Sequence, residues 1–93
     1  MAAWTYILRC ADGSYYVGCT TDLDQRLGQH ADGTLGGYTS TRRPLELVWS
    51  VEVPTIHEAI ETERQIKGWG HAKKEALIRG DWTTVQFLSA RGR

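Results

Sequence analysis

The chain of 93 residues predicts an α+β fold, a three-stranded antiparallel sheet flanked by helices. Three observations carry this. "WTYILRC" and "SYYVGC" are rich in aromatic and β-branched residues and are separated by the turn signal "ADG", which is the pattern of a β-hairpin. "LELVWSVEV" alternates Leu45, Leu47, Trp49, Val51 and Val53 with mostly polar residues, as a third strand with one buried face does. Between and after these strands, Leu23 with Leu27 and then Ile56, Ala59, Ile60 and Ile66 recur at helical spacing.

The hairpin admits two registers. A two-residue Asp12-Gly13 turn opposes Tyr6 to Cys19 and Tyr16 to Arg9, sending Tyr6 and Tyr16 to opposite faces. A three-residue loop, Ala11-Asp12-Gly13, with Gly13 in the left-handed region, opposes Cys10 to Ser14 and sets both tyrosines on one face. The second is expected. Tyr15 then points away from Tyr16 and packs under a helix.

Thr20, Thr21 and Asp22 are N-cap residues for a first helix that Asp32-Gly33 ends, with residues 23, 26, 27 and 30 on one side. "DGTLGGYTSTRRP" reads as a loop. After the third strand Pro54 breaks the chain, and Thr55 with Glu58 makes a capping box for a helix to about Lys67, ended by Gly68. "HAKKEALIRG" is a further short helix with Ala72, Ala76 and Leu77 inward, and "WTTVQFL" a last turn packing Trp82, Val85 and Leu88 on the core.

The length allows one domain, expected to span 1–93. No apolar run approaches the roughly 20 residues that cross a bilayer, and the N-terminus lacks a signal-peptide pattern, so no membrane partner and a cytoplasmic address are expected. Cys10 and Cys19 form neither a CxxC nor an even framework of four or six and are expected as free thiols. Eleven Lys+Arg balance eleven Asp+Glu, which excludes a strong global field toward nucleic acid. Locally, Arg64, Lys67, Lys73, Lys74 and Arg79 face only one acid, Glu75, a patch that permits phosphate contacts.

Three residues break local rules. Glu63 occupies the position that continues the inward stripe between Ile60 and Ile66, where a carboxylate is costly unless paired or bound to a cation. An ion pair with Arg26 or with a lysine accounts for it equally well, and spacing leaves the two open. Arg26 and His30 lie one turn apart at the rim of the first helix's apolar stripe. A guanidinium there suits a phosphate, and an imidazole can move a proton near neutral pH. His57 and His71 are expected to be exposed. Zinc-site spacing, GxxxxGK[ST], GxGxxG and GxSxG are all absent, which disfavours structural zinc, nucleotide-dependent chemistry and serine hydrolysis.

With "WTY" at 4–6, "YVG" at 16–18, Arg26 ten residues after Tyr16, His30 one turn later and Glu63 within "EAIETE", the chain resembles the small, single-domain bacterial members of the GIY-YIG nuclease superfamily. "IKGWGHAKKEALIRGDW" is similar to the same branch, so the resemblance covers nearly the whole chain. It implies hydrolysis of a DNA phosphodiester with one divalent ion, Mg²⁺ or Mn²⁺, held by Glu63. Catalytic roles then fall to Tyr6, Tyr16, Arg26, His30 and Glu63: Arg26 stabilises charge on the phosphate, and a tyrosine with His30 orients or deprotonates water. Gly18 would leave the strand open where the phosphate approaches. Nucleic-acid contacts are expected from Arg42, Arg43, Lys67, Lys73 and Lys74, on branched, nicked or single-stranded DNA in repair or processing. Trp4 and Thr5 stand in place of the name motif's glycine and isoleucine, and Cys19 where the excision-repair branch has a lysine. With no net charge, affinity for DNA is expected to be weak and substrate choice to rest on a protein partner. The competing expectation is a nucleic-acid- or partner-binding module that keeps the site without turnover.

Overall fold

A computed structural model describes residues 1–91. Its sheet has the order β2-β1-β3, with β1 at Ala3–Arg9, β2 at Tyr15–Thr20 and β3 at Glu46–Val53, all antiparallel. Thr5, Tyr6, Ile7 and Leu8 in the central strand are all fully buried. A strand with neighbours on both edges and cover on both faces shows a continuous apolar run, hence "WTYIL". Each large side chain so buried contributes about 1.5–3 kcal/mol.

The hairpin takes the three-residue loop. Cys10 N–H donates to Ser14 O at 2.8 Å, Gly13 N–H donates to Cys10 O at 2.9 Å, and Gly13 sits at φ 84°. Asp12 locks the turn by accepting from Ser14 N–H at 3.0 Å and from its hydroxyl at 2.6 Å. Tyr6 therefore opposes Gly18 and Leu8 opposes Tyr16, which places both tyrosines on one face.

β3 departs from the alternation expected of it. A bulge interrupts its register with β1 between Ile7 and Leu8, so Trp49 opposes Ile7 while Leu47 opposes Leu8. Val48 and Trp49 both pack on the core, and Leu47, 41% exposed, goes with Leu8 to the other face. Strict alternation would have put Leu47 and Trp49 together.

On the core face lie α3 (Ile56–Lys67), α4 (His71–Arg79) and α5 (Trp82–Arg91), enclosing Ile7, Val17, Ile66, Ala76, Leu77 and Val85. Thr55 caps α3 by accepting from Glu58 N–H at 3.2 Å, and Thr5 Oγ1 donates to Ala59 O at 2.7 Å, tying β1 to that helix. The expected last turn is a ten-residue helix with Val85 inward but Trp82 61% exposed, and Ala72 is exposed rather than inward. On the opposite face lies α1 (Leu23–Asp32), capped by Asp22, which accepts from Gln25 N–H at 3.1 Å, and ended at Gly33. The stretch read as loop contains a short helix, α2 (Gly37–Ser40), that sequence patterning missed because four residues give no periodicity.

Candidate active site

Two strands and a helix build the cluster. β1 supplies Tyr6, β2 supplies Tyr16, and α1 supplies Arg26 and His30. The ring centroids of Tyr6 and Tyr16 are 6.4 Å apart, those of Tyr6 and His30 5.8 Å, and those of Tyr16 and His30 5.1 Å. His30 is not at the rim of its helix: it is 3% exposed, closed in between the sheet and α2. Its Nε2 lies 2.9 Å from Tyr6 Oη and its Nδ1 2.9 Å from Thr39 Oγ1.

The direction of these bonds follows from donor inventory. The Arg26 guanidinium, which can only donate, acts on Tyr6 Oη. The phenol oxygen accepts there, and because His30 Nε2 is the acceptor beside the buried phenol O–H, we assign the phenol proton to that bond and the imidazole hydrogen to Nδ1, donating to Thr39. Burial, with the Arg26 charge second, lowers the His30 pKa and keeps the ring neutral near pH 7. Burial also pushes the Tyr6 phenol up to about 12, so Tyr6 is a donor at rest and not a preformed phenolate.

Gly18 serves this packing. A Cβ there would lie 2.5 Å from Tyr6 Oη and 2.7 Å from Tyr6 Cζ. The missing side chain makes room for the tyrosine head, which corrects the expectation that it chiefly opens the strand to a phosphate.

Glu63 comes from the other side of the sheet. It lies one turn beyond Ala59, which faces Thr5, and its carboxylate approaches the thiol of Cys19, the strand partner of Thr5. Arg26 acts on the same thiol from the tyrosine side. Burial first, and the Glu63 carboxylate second, push Cys19 up to about 11, a protonated and inert thiol. The aromatic groups and the acid thus stand on opposite faces of the outer edge of β2, at Gly18 and Cys19. Glu63 Oε2 pairs with Lys67 Nζ at 3.2 Å, with the acid 18% and the lysine 53% exposed. The ion pair expected as one account of Glu63 is therefore present, made with Lys67. A half-exposed pair contributes at most about 1 kcal/mol.

Among the described residues no three His, Cys, Asp or Glu side chains gather as a metal cage. One accessible carboxylate is nevertheless a donor set that a hard ion accepts, because Mg²⁺ keeps waters and takes substrate phosphate oxygens beside one or two protein carboxylates. The residues fit such an ion and not a zinc site.

The expected nucleic-acid residues divide. Arg42 pairs with Asp12 at 3.2 Å and lies over the Tyr38 ring at 3.7 Å. Lys67 and Lys74 line a recess of about 220 Å³ with Tyr15, Tyr16, Val17 and Tyr38. Lys73 covers Trp69 at 4.1 Å, and Arg43 donates to the carbonyls of Ser40 and Ala31, bracing the end of α1. Tyr15 stacks on His71 at 4.7 Å, on the helix side as expected. Both His57 and His71 are exposed, and both cysteines are free. Sequence reasoning missed Thr39 and Tyr38, whose only signal was a threonine and an aromatic inside a glycine-rich segment.

Residues 2–76 match the family model described as the GIY-YIG catalytic domain. The chain belongs to the GIY-YIG family. That domain is a nuclease domain, whose members act on nucleic acid with divalent metal ions. This GIY-YIG chain is 42% identical over 78 residues to the UPF0213 protein BH0048 of Halalkalibacterium halodurans, covering 84% of this chain and 83% of that one. It is 40% identical over 73 residues to the UPF0213 protein YazA of Bacillus subtilis, covering 78% and 74%. The solution NMR structure of UPF0213 protein BH0048 from Bacillus halodurans superposes with a TM-score of 0.56, covering 85% of this chain and 84% of that one at 42% identity. That of EF2693 from E. faecalis superposes with 0.60, covering 86% and 85% at 30% identity. No helix among the described residues is long and apolar enough to cross a membrane.

Proposed function

We propose that this GIY-YIG domain, taken as one unit over 1–93, is an endonuclease that hydrolyses phosphodiester bonds in DNA with Mg²⁺ or Mn²⁺ at Glu63. The observation that carries the reading is the pair Tyr6 Oη and His30 Nε2 at 2.9 Å, a buried neutral base beside a phenol on which the Arg26 charge acts. In this arrangement a water admitted to Tyr6 with the substrate would lose its proton to the phenol oxygen as the phenol proton moves to His30 Nε2. Thr39 keeps the imidazole in the tautomer able to receive it. Arg26 lies beside that oxygen and stabilises negative charge on the phosphate. The ion at Glu63 would neutralise charge on the phosphate and leaving oxygen when bound. Cytoplasmic DNA repair or processing, with a partner supplying the choice of substrate, is the setting we assign to it.

The test is cleavage of single-stranded, nicked, flapped and branched DNA by wild type and by Glu63→Gln and Tyr6→Phe, with Mg²⁺ or Mn²⁺ and with EDTA. Loss of 10²-fold or more in both variants is expected. Equal cutting by all three proteins, or none by any on every substrate, would refute it. The Lys67 cation on Glu63 favours a second reading, binding without turnover. That reading requires DNA affinity that survives EDTA in a protein that never cuts.

A further inference from the structure

The pair of atoms on which the proposed chemistry turns is closed off from solvent. Tyr6 is fully buried, His30 is 3% exposed, and Thr39, bonded to the far side of the imidazole, is 2% exposed. Hydrolysis brings a water and a phosphate to Tyr6 Oη, so one side of this enclosure has to open. Tyr6 stands in the central strand, Tyr16 and Gly18 in the strand hydrogen-bonded beside it, and Arg26 and His30 in a ten-residue helix. None of these moves without breaking a ladder or a helix. α2 is built differently. It is four residues long, and Gly36 and Gly37 lead into it at φ 66° and 68° with open space around both. Glycine passes through such angles without steric cost, which makes the pair a hinge.

On the enclosed side α2 makes two contacts with the cluster. Thr39 Oγ1 meets His30 Nδ1 at 2.9 Å, and the Tyr38 ring stacks with Tyr16 at a centroid separation of 6.3 Å. Arg42 then ties α2 to the hairpin loop. Its guanidinium lies over the Tyr38 ring at 3.7 Å, donates to the Tyr38 carbonyl at 2.9 Å and donates from Nε to Asp12 at 3.2 Å. Its backbone carbonyl accepts from Ala11 N–H at 2.9 Å, so the arginine is anchored while its side chain does the fastening. An ion pair exposed at both ends is weak, and a weak tie on a short element gives local opening well below the cost of unfolding.

We propose that α2 is a lid over Tyr6 and His30, hinged at Gly36 and Gly37 and latched by the Arg42 side chain on Asp12. The lid opens and closes in the free protein, and its opening admits water and phosphate to Tyr6 Oη. Its purpose rests on the nuclease reading; its test does not.

The experiment is acylation of histidine by diethyl pyrocarbonate on the full chain in EDTA without DNA, read residue by residue by mass spectrometry. His57 and His71 are exposed and serve as internal references. His30 should react about a hundred-fold more slowly than these, at a rate that urea below the unfolding transition barely changes, because a lid exposes little surface. Arg42→Gln should speed His30 about ten-fold, and Asp12→Asn, which keeps an acceptor for Ser14, about three-fold, with both references unchanged. The double variant should match Arg42→Gln alone, because Asp12 acts through Arg42. A His30 rate that climbs with urea as steeply as global unfolding, or that neither variant changes, would overturn the lid. So would a His30 as reactive as His57 in the wild type. Latch-dependent opening in a protein that cuts no DNA supports the lid and counts against the nuclease reading. Cleavage by a wild type whose His30 reacts only through global unfolding counts against the lid alone.

Discussion

At the smallest scale the proposed chemistry turns on two atoms, the phenol oxygen of Tyr6 and the Nε2 of His30, 2.9 Å apart and enclosed. Everything near them is arranged to leave neither without a partner. Gly18 bears on this pair most sharply, because a Cβ would meet Tyr6 Oη at 2.5 Å and the ring is fully buried. Gly18→Ala should therefore destabilise by about 1–3 kcal/mol in urea unfolding and, by turning the phenol from His30, lower cleavage as well. Tyr6→Phe removes the oxygen without adding bulk; it leaves His30 Nε2 buried and unpaired, which costs about 1–3 kcal/mol. A Tyr6→Phe protein as stable as wild type would show that the bond is not made. Neither residue announces this role alone: Tyr6 and Tyr16 were legible through their spacing, whereas His30 read as a rim residue because a helical wheel cannot show that α2 closes over it.

At the scale of elements, the hairpin loop and α2 do the positioning. The three-residue loop sets the register that brings both tyrosines to one face; shortened by one residue, β2 would slip and send Tyr16 to the α3 side. This much was readable from "ADG" and the alternation around it. α2 was not, and it supplies the Thr39 hydroxyl assigned as the acceptor of His30 Nδ1–H. Thr39→Val keeps the shape but removes that acceptor. The expected result is a loss of about 1–3 kcal/mol in urea unfolding with an unchanged m value, and an altered imidazole nitrogen pattern by NMR. The β3 bulge escaped for a similar reason, since one extra residue reverses the facing of Leu47 and leaves no mark in composition.

For the molecule as a whole, the buried pair imposes limits on pH. His30 titrates at 6.5 when free and lower when folded. Above pH 6.5 both states are neutral and the contribution is complete; as pH falls below 6.5 the unfolded chain takes a proton that the native site refuses, and stability is lost. Tyr6 runs the other way. With a folded value of about 12 against 10.0, its contribution is complete below pH 10 and lost as pH rises from 10 toward 12. Thermal midpoints across pH should show both declines, and His30→Gln should remove the acid one. Cleavage should fall on the same acid limb. Charge balance bears on a second whole-molecule property: with no net charge, the proposed DNA affinity would rest on the few cations that α3 and α4 set beside β2, and its logarithm should fall with the logarithm of salt at a slope near the number of phosphates contacted. A slope near zero would exclude Lys67 and Lys74 as phosphate ligands.

By itself the sequence determined the order of strands and main helices, the hairpin register and the candidates Tyr6, Tyr16, Arg26, His30 and Glu63, because periodicity, capping and turn chemistry are local. Only the tertiary structure decided that Glu63 stands beside Cys19 on the face of β2 opposite the tyrosines, paired with Lys67, and that Tyr38 stacks with Tyr16. Those relations depend on how the helices pack on a twisted sheet, and packing brings together residues far apart in the chain by closing distances that no local pattern encodes.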